Sequence, residues 1–137
     1  MRKLTLIFIF ISALSLKAQK IPTYREVSVC GQEGMANNFG FLRVGEQEYI
    51  SIIKNFEKKI KKHNNYSGYY RLYILIGNKN ELPTFYTFLI PKELVSEEDK
   101  KIKEYRIYGD NRTLKVYYDL KTKKISQPKP SIILPDL

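Results

Sequence analysis

Residues 69–90 read YYRLYILIG, then NKNELP, then TFYTFLI. Two β-rich runs flank a polar turn that contains Gly77 and Pro83, the sequence signature of a hairpin. Side chains alternate along a strand. Tyr70, Leu72, Ile74 and Ile76 therefore share one face of the first run, and Tyr69, Arg71, Tyr73 and Leu75 share the other. The second run is apolar on both faces. Such a pair belongs near the middle of a sheet, with at least one side covered.

The covering element is written just upstream, in residues 46–63. Tyr49, Ile53, Phe56 and Ile60 recur at i, i+4, i+7 and i+11, with Ile52 beside them. Lys54, Lys58, Lys59, Lys61 and Lys62 take the opposite face. Glu46 and Glu48 in the first turn and lysines in the last suit the helix dipole. Asn64, Asn65 and Gly68 end the helix. Its apolar stripe is expected on the even-numbered face of the first run, against Leu72, Ile74 and Ile76, joined by Leu114, Val116 and Tyr118.

Downstream, Ser96 followed by Glu97, Glu98 and Asp99 reads either as the capped start of a short second helix, to about Lys103, or as a charged loop. Residues 105–108 and 113–120 flank Gly109, Asp110, Asn111 and Arg112, a second hairpin signal. Leu114, Val116, Tyr118 and Leu120 alternate with Lys115, Tyr117 and Asp119, as in a half-buried antiparallel strand. Ile125 can open one more short strand. Pro128, Pro130 and Pro135 make residues 126–137 an extended tail. Upstream, residues 24–30 alternate loosely enough for a strand. Gly31, Gly34, Asn37, Asn38 and Gly40 read as loop, so residues 19–40 have no firm assignment. The expectation is one α+β domain over residues 41–125: one long amphipathic helix packed on an antiparallel sheet of about four strands.

Met1 to Ala18 has the form of a secretory signal peptide. Arg2 and Lys3 precede an apolar run, Leu4 to Leu16, and Ala18-Gln19 is the expected cleavage point. The run is shorter than the roughly 20 residues of a spanning helix. The periplasm or the extracellular space is the expected location. Removing the leader takes three of the 24 basic residues and none of the 14 acidic ones, so the net charge falls from +10 to +7. That balance favours anionic partners or simply solubility. Cys30 is the single cysteine, so no intramolecular disulfide can form. The residues before it, Val27-Ser28-Val29, are not the end of an apolar leader, which argues against lipid attachment.

Catalytic signatures are sparse. Cys30 and His63 make the one imaginable nucleophile–base pair, and no nucleophile motif surrounds Cys30. Glu97, Glu98 and Asp99 lack calcium-loop spacing, and one His with one Cys does not compose a conventional zinc site. No phosphate-binding glycine loop or nucleophile elbow is present. The chain reads as a non-enzyme without cofactor or metal, which binds a protein partner. Two surfaces are candidates. Tyr69, Arg71, Tyr73, Arg106, Tyr108, Lys115 and Tyr117 can share the sheet face away from the helix, and Tyr and Arg are what binding hot spots use. The same face can instead be covered by the N-terminal segment or the tail. The lysine face, Lys54, Lys58, Lys59, Lys61 and Lys62, reads either as a contact for anionic lipid or polysaccharide of the envelope or as an ordinary solvated face. Nucleic acid is not an expected partner.

From residues 64–68, NNYSG, the order of elements resembles the C-terminal domain of TonB proteins: a helix, a short Gly-containing link, a strand, a turn and a strand, then an acidic-started helix and a final strand. The likeness covers residues 41–125 and lies in layout rather than in a motif. It implies a periplasmic protein-contact domain that meets partners by adding a strand to a sheet edge. A cystatin-like arrangement, one helix held against an antiparallel sheet, fits the same pattern and implies an inhibitor or ligand-binding module.

Overall fold

The computed structural model describes residues 23–102 and 107–133. The expected leader and its cleavage point, and Arg106, lie outside these residues. Two strands open the described chain, β1 (Tyr24–Val29) and β2 (Gln32–Asn37). Two helices follow, α1 (Asn38–Val44) and α2 (Glu46–Lys61), and then β3 (Tyr69–Ile76) and β4 (Thr84–Pro91). A single 3-10 turn, Lys92–Leu94, leads to α3 (Glu97–Lys101), and β5 (Leu114–Tyr118) and β6 (Lys129–Pro130) close the order. The strands form one sheet in the order β1-β2-β3-β4-β5-β6. All neighbours are antiparallel except β2 and β3, which run parallel. The fold is α+β, with a mixed sheet of six strands where an antiparallel sheet of about four was expected. Among the described residues no helix is long and apolar enough to cross a membrane.

The stretch expected to be loop contains a strand and a helix. Cys30 and Gly31 form the two-residue turn between β1 and β2, and both have positive φ, 52° and 77°. That is the type I′ geometry whose twist matches a hairpin. β2 then lies so close to β3 that a Cβ on Gly34 would meet the carbonyl oxygen of Arg71 at 2.5 Å. Glycine is thus a packing requirement of this strand, although it reads as a breaker in sequence. The ladder ends at Ala36 and Tyr73, and the side chain of Asn37 continues it. Its amide donates to the Leu75 carbonyl at 2.9 Å and accepts from the Leu75 N–H at 3.0 Å. Helix α1 follows at once. Its Arg43 guanidinium donates to the carbonyls of Asn78, Lys79 and Glu81 and so holds the β3–β4 loop.

The sheet is buried on both sides. On the near side, Tyr49, Ile53, Phe56 and Ile60 of α2 pack against Tyr73, Leu75, Phe85, Val116 and Tyr118. On the far side, Tyr70, Leu72, Ile74, Phe88 and Ile90 pack with Tyr24, Met35, Val95, Ile107 and Ile133. The helix stripe is the one expected, and Val116 and Tyr118 join it. The face of β3 is the opposite one: α2 covers the odd-numbered residues, while Leu72 and Ile74 face the segment that follows β4. The reason lies in the parallel β2–α1–α2–β3 crossover. Such connections are almost always right-handed, which decides the side the helix takes once the preceding strand is known. Reading β2 as loop removed that information.

The capped start at Ser96 is present as a full capping box. Ser96 Oγ accepts from the Asp99 N–H at 3.1 Å, and the Asp99 carboxylate accepts from the Ser96 N–H at 3.0 Å. Of the expected hairpin between residues 105–108 and β5, only Ile107 and Tyr108 are described, and neither is in a strand. Ile107 is buried in the far-side core instead, and β5 pairs with β4 and β6. Ile125 makes one isolated bridge to Tyr118.

Candidate functional site

Of the seven residues expected on one exposed sheet face, Arg106 lies outside the described residues and the other six do not share a face. Arg71 and Tyr73 are fully buried beneath α2. Tyr69 is half-buried with its ring 5.6 Å from that of Tyr66. Lys115 and Tyr117 point to the far side, and Tyr108 lies exposed after the far-side residue Ile107. Alternation along β3 grouped Tyr69, Arg71 and Tyr73 correctly. The error was the side on which the helix sits.

Arg71 is the centre of a buried polar network. Its Nε and Nη2 donate to the two oxygens of Glu57 at 3.0 and 3.3 Å. The remaining N–H groups donate to the carbonyls of Tyr66, Tyr69 and Asn65 at 2.6, 2.9 and 2.8 Å. All five donors of the guanidinium are thereby satisfied. Tyr73 donates its hydroxyl to Glu57 Oε1 at 2.6 Å. Burial raises the Tyr73 hydroxyl well above the usual phenol range, and the adjacent Glu57 carboxylate raises it further. The network clasps the 64–68 link to both α2 and β3. Its signal was present in the sequence: Glu57 is a charge inside the apolar stripe of α2, as Arg71 is inside the apolar run of β3, and buried charges require partners. Tyr49 makes a second buried contact of this kind, donating its hydroxyl to Asn37 Oδ1 at 2.7 Å.

The exposed aromatic surface is on the far side, at the end of the sheet that the segment after β4 leaves open. Ladder partners form rows across the strands. Leu72, Phe88 and Lys115 make one row, and Ile74, Tyr86 and Tyr117 the next. The rings of Tyr86 and Tyr117 are 5.6 Å apart, as are those of Tyr86 and Phe88. The Lys115 ammonium lies 4.3 Å from the Tyr86 ring centroid, 4.9 Å from that of Tyr117 and 5.4 Å from that of Phe88. These are cation–π distances. Beyond them Ile76 is 44% exposed and Tyr117 46%. Tyr86 and Phe88 were missed because the second run is apolar on both faces and so carries no face signal.

Lys54, Lys58, Lys61 and Lys62 are exposed and Lys59 half-buried, as the helical period requires. Cys30 is exposed in the β1–β2 turn and His63 is exposed past the end of α2, with no hydrogen bond between them. Among the described residues no cluster of three or more His, Cys, Asp or Glu could hold a metal ion. Comparison of the chain with protein-family models, with curated proteins and with solved structures finds no match.

Proposed function

We propose that the chain is a secreted or periplasmic module that binds another protein and performs no chemistry of its own. The observation that carries this reading is the half-covered far side of the sheet. Its Tyr70 and Ile90 row is buried, while Ile76 and Tyr117 remain open beside Tyr86 and the Lys115 cation. Rigid aromatic side chains fixed on strands supply contact area at little entropic cost, and Tyr is enriched where interfaces concentrate their energy. The positive charge of the chain favours a partner that carries an apolar side chain for the Ile76–Tyr117 surface and carboxylates around it. The address comes from the leader pattern of residues 1–18.

The test is capture of a specific partner from envelope extract by the leaderless protein. The pair Tyr86→Ala and Tyr117→Ala should abolish that capture, and Lys54→Gln should not. Retention of every specific partner by the tyrosine pair would reject the surface. A second reading, contact with an anionic envelope component through the lysine face, is favoured by Lys58, Lys59 and Lys62 lining one recess.

A further inference from the structure

The last two turns of α2 place Asn55, Lys58, Lys59 and Lys62 in one row, since these positions are three or four residues apart. Facing them across a recess of about 280 Å³ are Tyr118, at the end of β5, and Lys123, from the turn that follows. Lys123 has φ 61°, a left-handed conformation that is costly for a residue with a Cβ. The turn that imposes it is built around Asp119. The Lys123 N–H donates to the Asp119 carbonyl at 2.8 Å, and the Asp119 carboxylate accepts from the N–H groups of Lys121 and Thr122 at 2.8 and 2.9 Å. The Asp119 N–H in turn donates to the Lys124 carbonyl at 2.9 Å. The backbone at Lys123 is therefore held by a hydrogen-bonded turn rather than carried on a loose loop.

Four lysines thus line one recess, and among the described residues none of them has an ion-pair partner. Glu57, the acid next to Lys58 in sequence, is buried beneath the helix and fully engaged by Arg71. Four like charges around so small a volume repel one another, and a multivalent anion relieves that repulsion at every lysine at once. The helix C-terminal carbonyls oppose an anion with about half a charge, less than the four full charges supply. We propose that this recess is a binding site for a phosphomonoester or diphosphate group. The proposal rests on the reading of the lysine face as an anion contact and narrows it. The ligand site is the end of α2 together with Lys123, and Lys54 and Lys61 lie outside it. The same chemistry is offered by a free phosphate compound and by a lipid headgroup.

Titration of the leaderless protein with pyrophosphate, and with phosphatidylcholine vesicles containing either phosphatidic acid or phosphatidylglycerol, tests this. Two double variants that remove equal charge are compared, Lys59→Gln with Lys123→Gln and Lys54→Gln with Lys61→Gln. The first pair should weaken pyrophosphate binding by about tenfold or more, as loss of two charge-assisted contacts implies. The second should change it by no more than about twofold, as expected for exposed charges outside the site. The same pattern with phosphatidic acid vesicles and not with pyrophosphate supports the site and identifies a lipid headgroup as its ligand. Equal loss in both pairs, with phosphatidylglycerol bound as well as phosphatidic acid, overturns the recess and leaves a diffuse lysine face. No salt-sensitive binding of any probe overturns both.

Discussion

Arg71 and Glu57 are each charged, each buried and each satisfied by the other, so neither can be lost alone without leaving the partner unpaired. Arg71→Met and Glu57→Leu should each destabilise the fold by about 3–5 kcal/mol. The double variant should be less destabilised than the sum of the two, because it removes both charges together. A double-mutant cycle by chemical denaturation measures the coupling, and strict additivity would mean that the pair acts independently. The tyrosines make a pH prediction. Tyr49, Tyr70 and Tyr73 all have hydroxyls raised above the ordinary phenol value, chiefly by burial. In the unfolded chain each ionises near pH 10, while in the fold it stays protonated. The native state then holds more protons, and stability falls as pH rises. Stability is fully present below about pH 10 and should drop above it by about 1.4 kcal/mol per pH unit for each such tyrosine. Tyr73→Phe should flatten that alkaline decline relative to the parent, as seen in denaturation midpoints between about pH 10 and 12.

Helix α2 shows how much one element can declare in advance. Its buried stripe and its lysine face follow from a 3.6-residue period; it starts at Glu46 as expected and ends at Lys61 rather than His63. Phe56 is fully buried among Tyr73, Phe85 and Tyr118. Phe56→Ala should destabilise by about 3–5 kcal/mol. Lys58→Ala on the opposite face should change stability by less than about 0.5 kcal/mol. Equal stabilities in chemical denaturation would mean that the stripe is not the packing face. β3 and β4 are equally legible, because β-branched and aromatic runs around Gly77 and Pro83 have no other good conformation. β2 is not. Its glycine and asparagine residues carry turn propensity, and what overrides it is tertiary: Gly34 fits under Arg71 and Asn37 serves as an extra rung for Leu75. Neither partner is visible from the local sequence. Ile107, expected in the second hairpin, is likewise placed by tertiary packing: it is buried in the far-side core and lies outside the strands.

At the scale of the whole molecule, one sheet serves two cores, and the candidate surfaces are what those cores leave over. The lysines were legible because exposure follows helical period alone. The aromatic surface was not, because choosing between two apolar faces of a strand requires knowing what lies above each. The parallel step between β2 and β3 has a consequence for how the chain reaches this state. β3 and β4 pair across one loop, whereas Gly34 meets Arg71 only after the whole two-helix crossover has been brought round. Local pairings close at a small entropic loss, and distant ones form late. The β3–β4 hairpin with α2 should therefore be the folding nucleus, and the β1–β2 hairpin should dock after the rate-limiting barrier. In stopped-flow measurements, Leu89→Ala should mainly slow refolding. Met35→Ala should leave refolding nearly unchanged and accelerate unfolding. The reverse pattern would put the parallel pairing in the nucleus. With late docking, β1 and β2 leave the native sheet as a unit, and their departure would bare the hydrogen-bonding edge of β3 before the core around α2 opens.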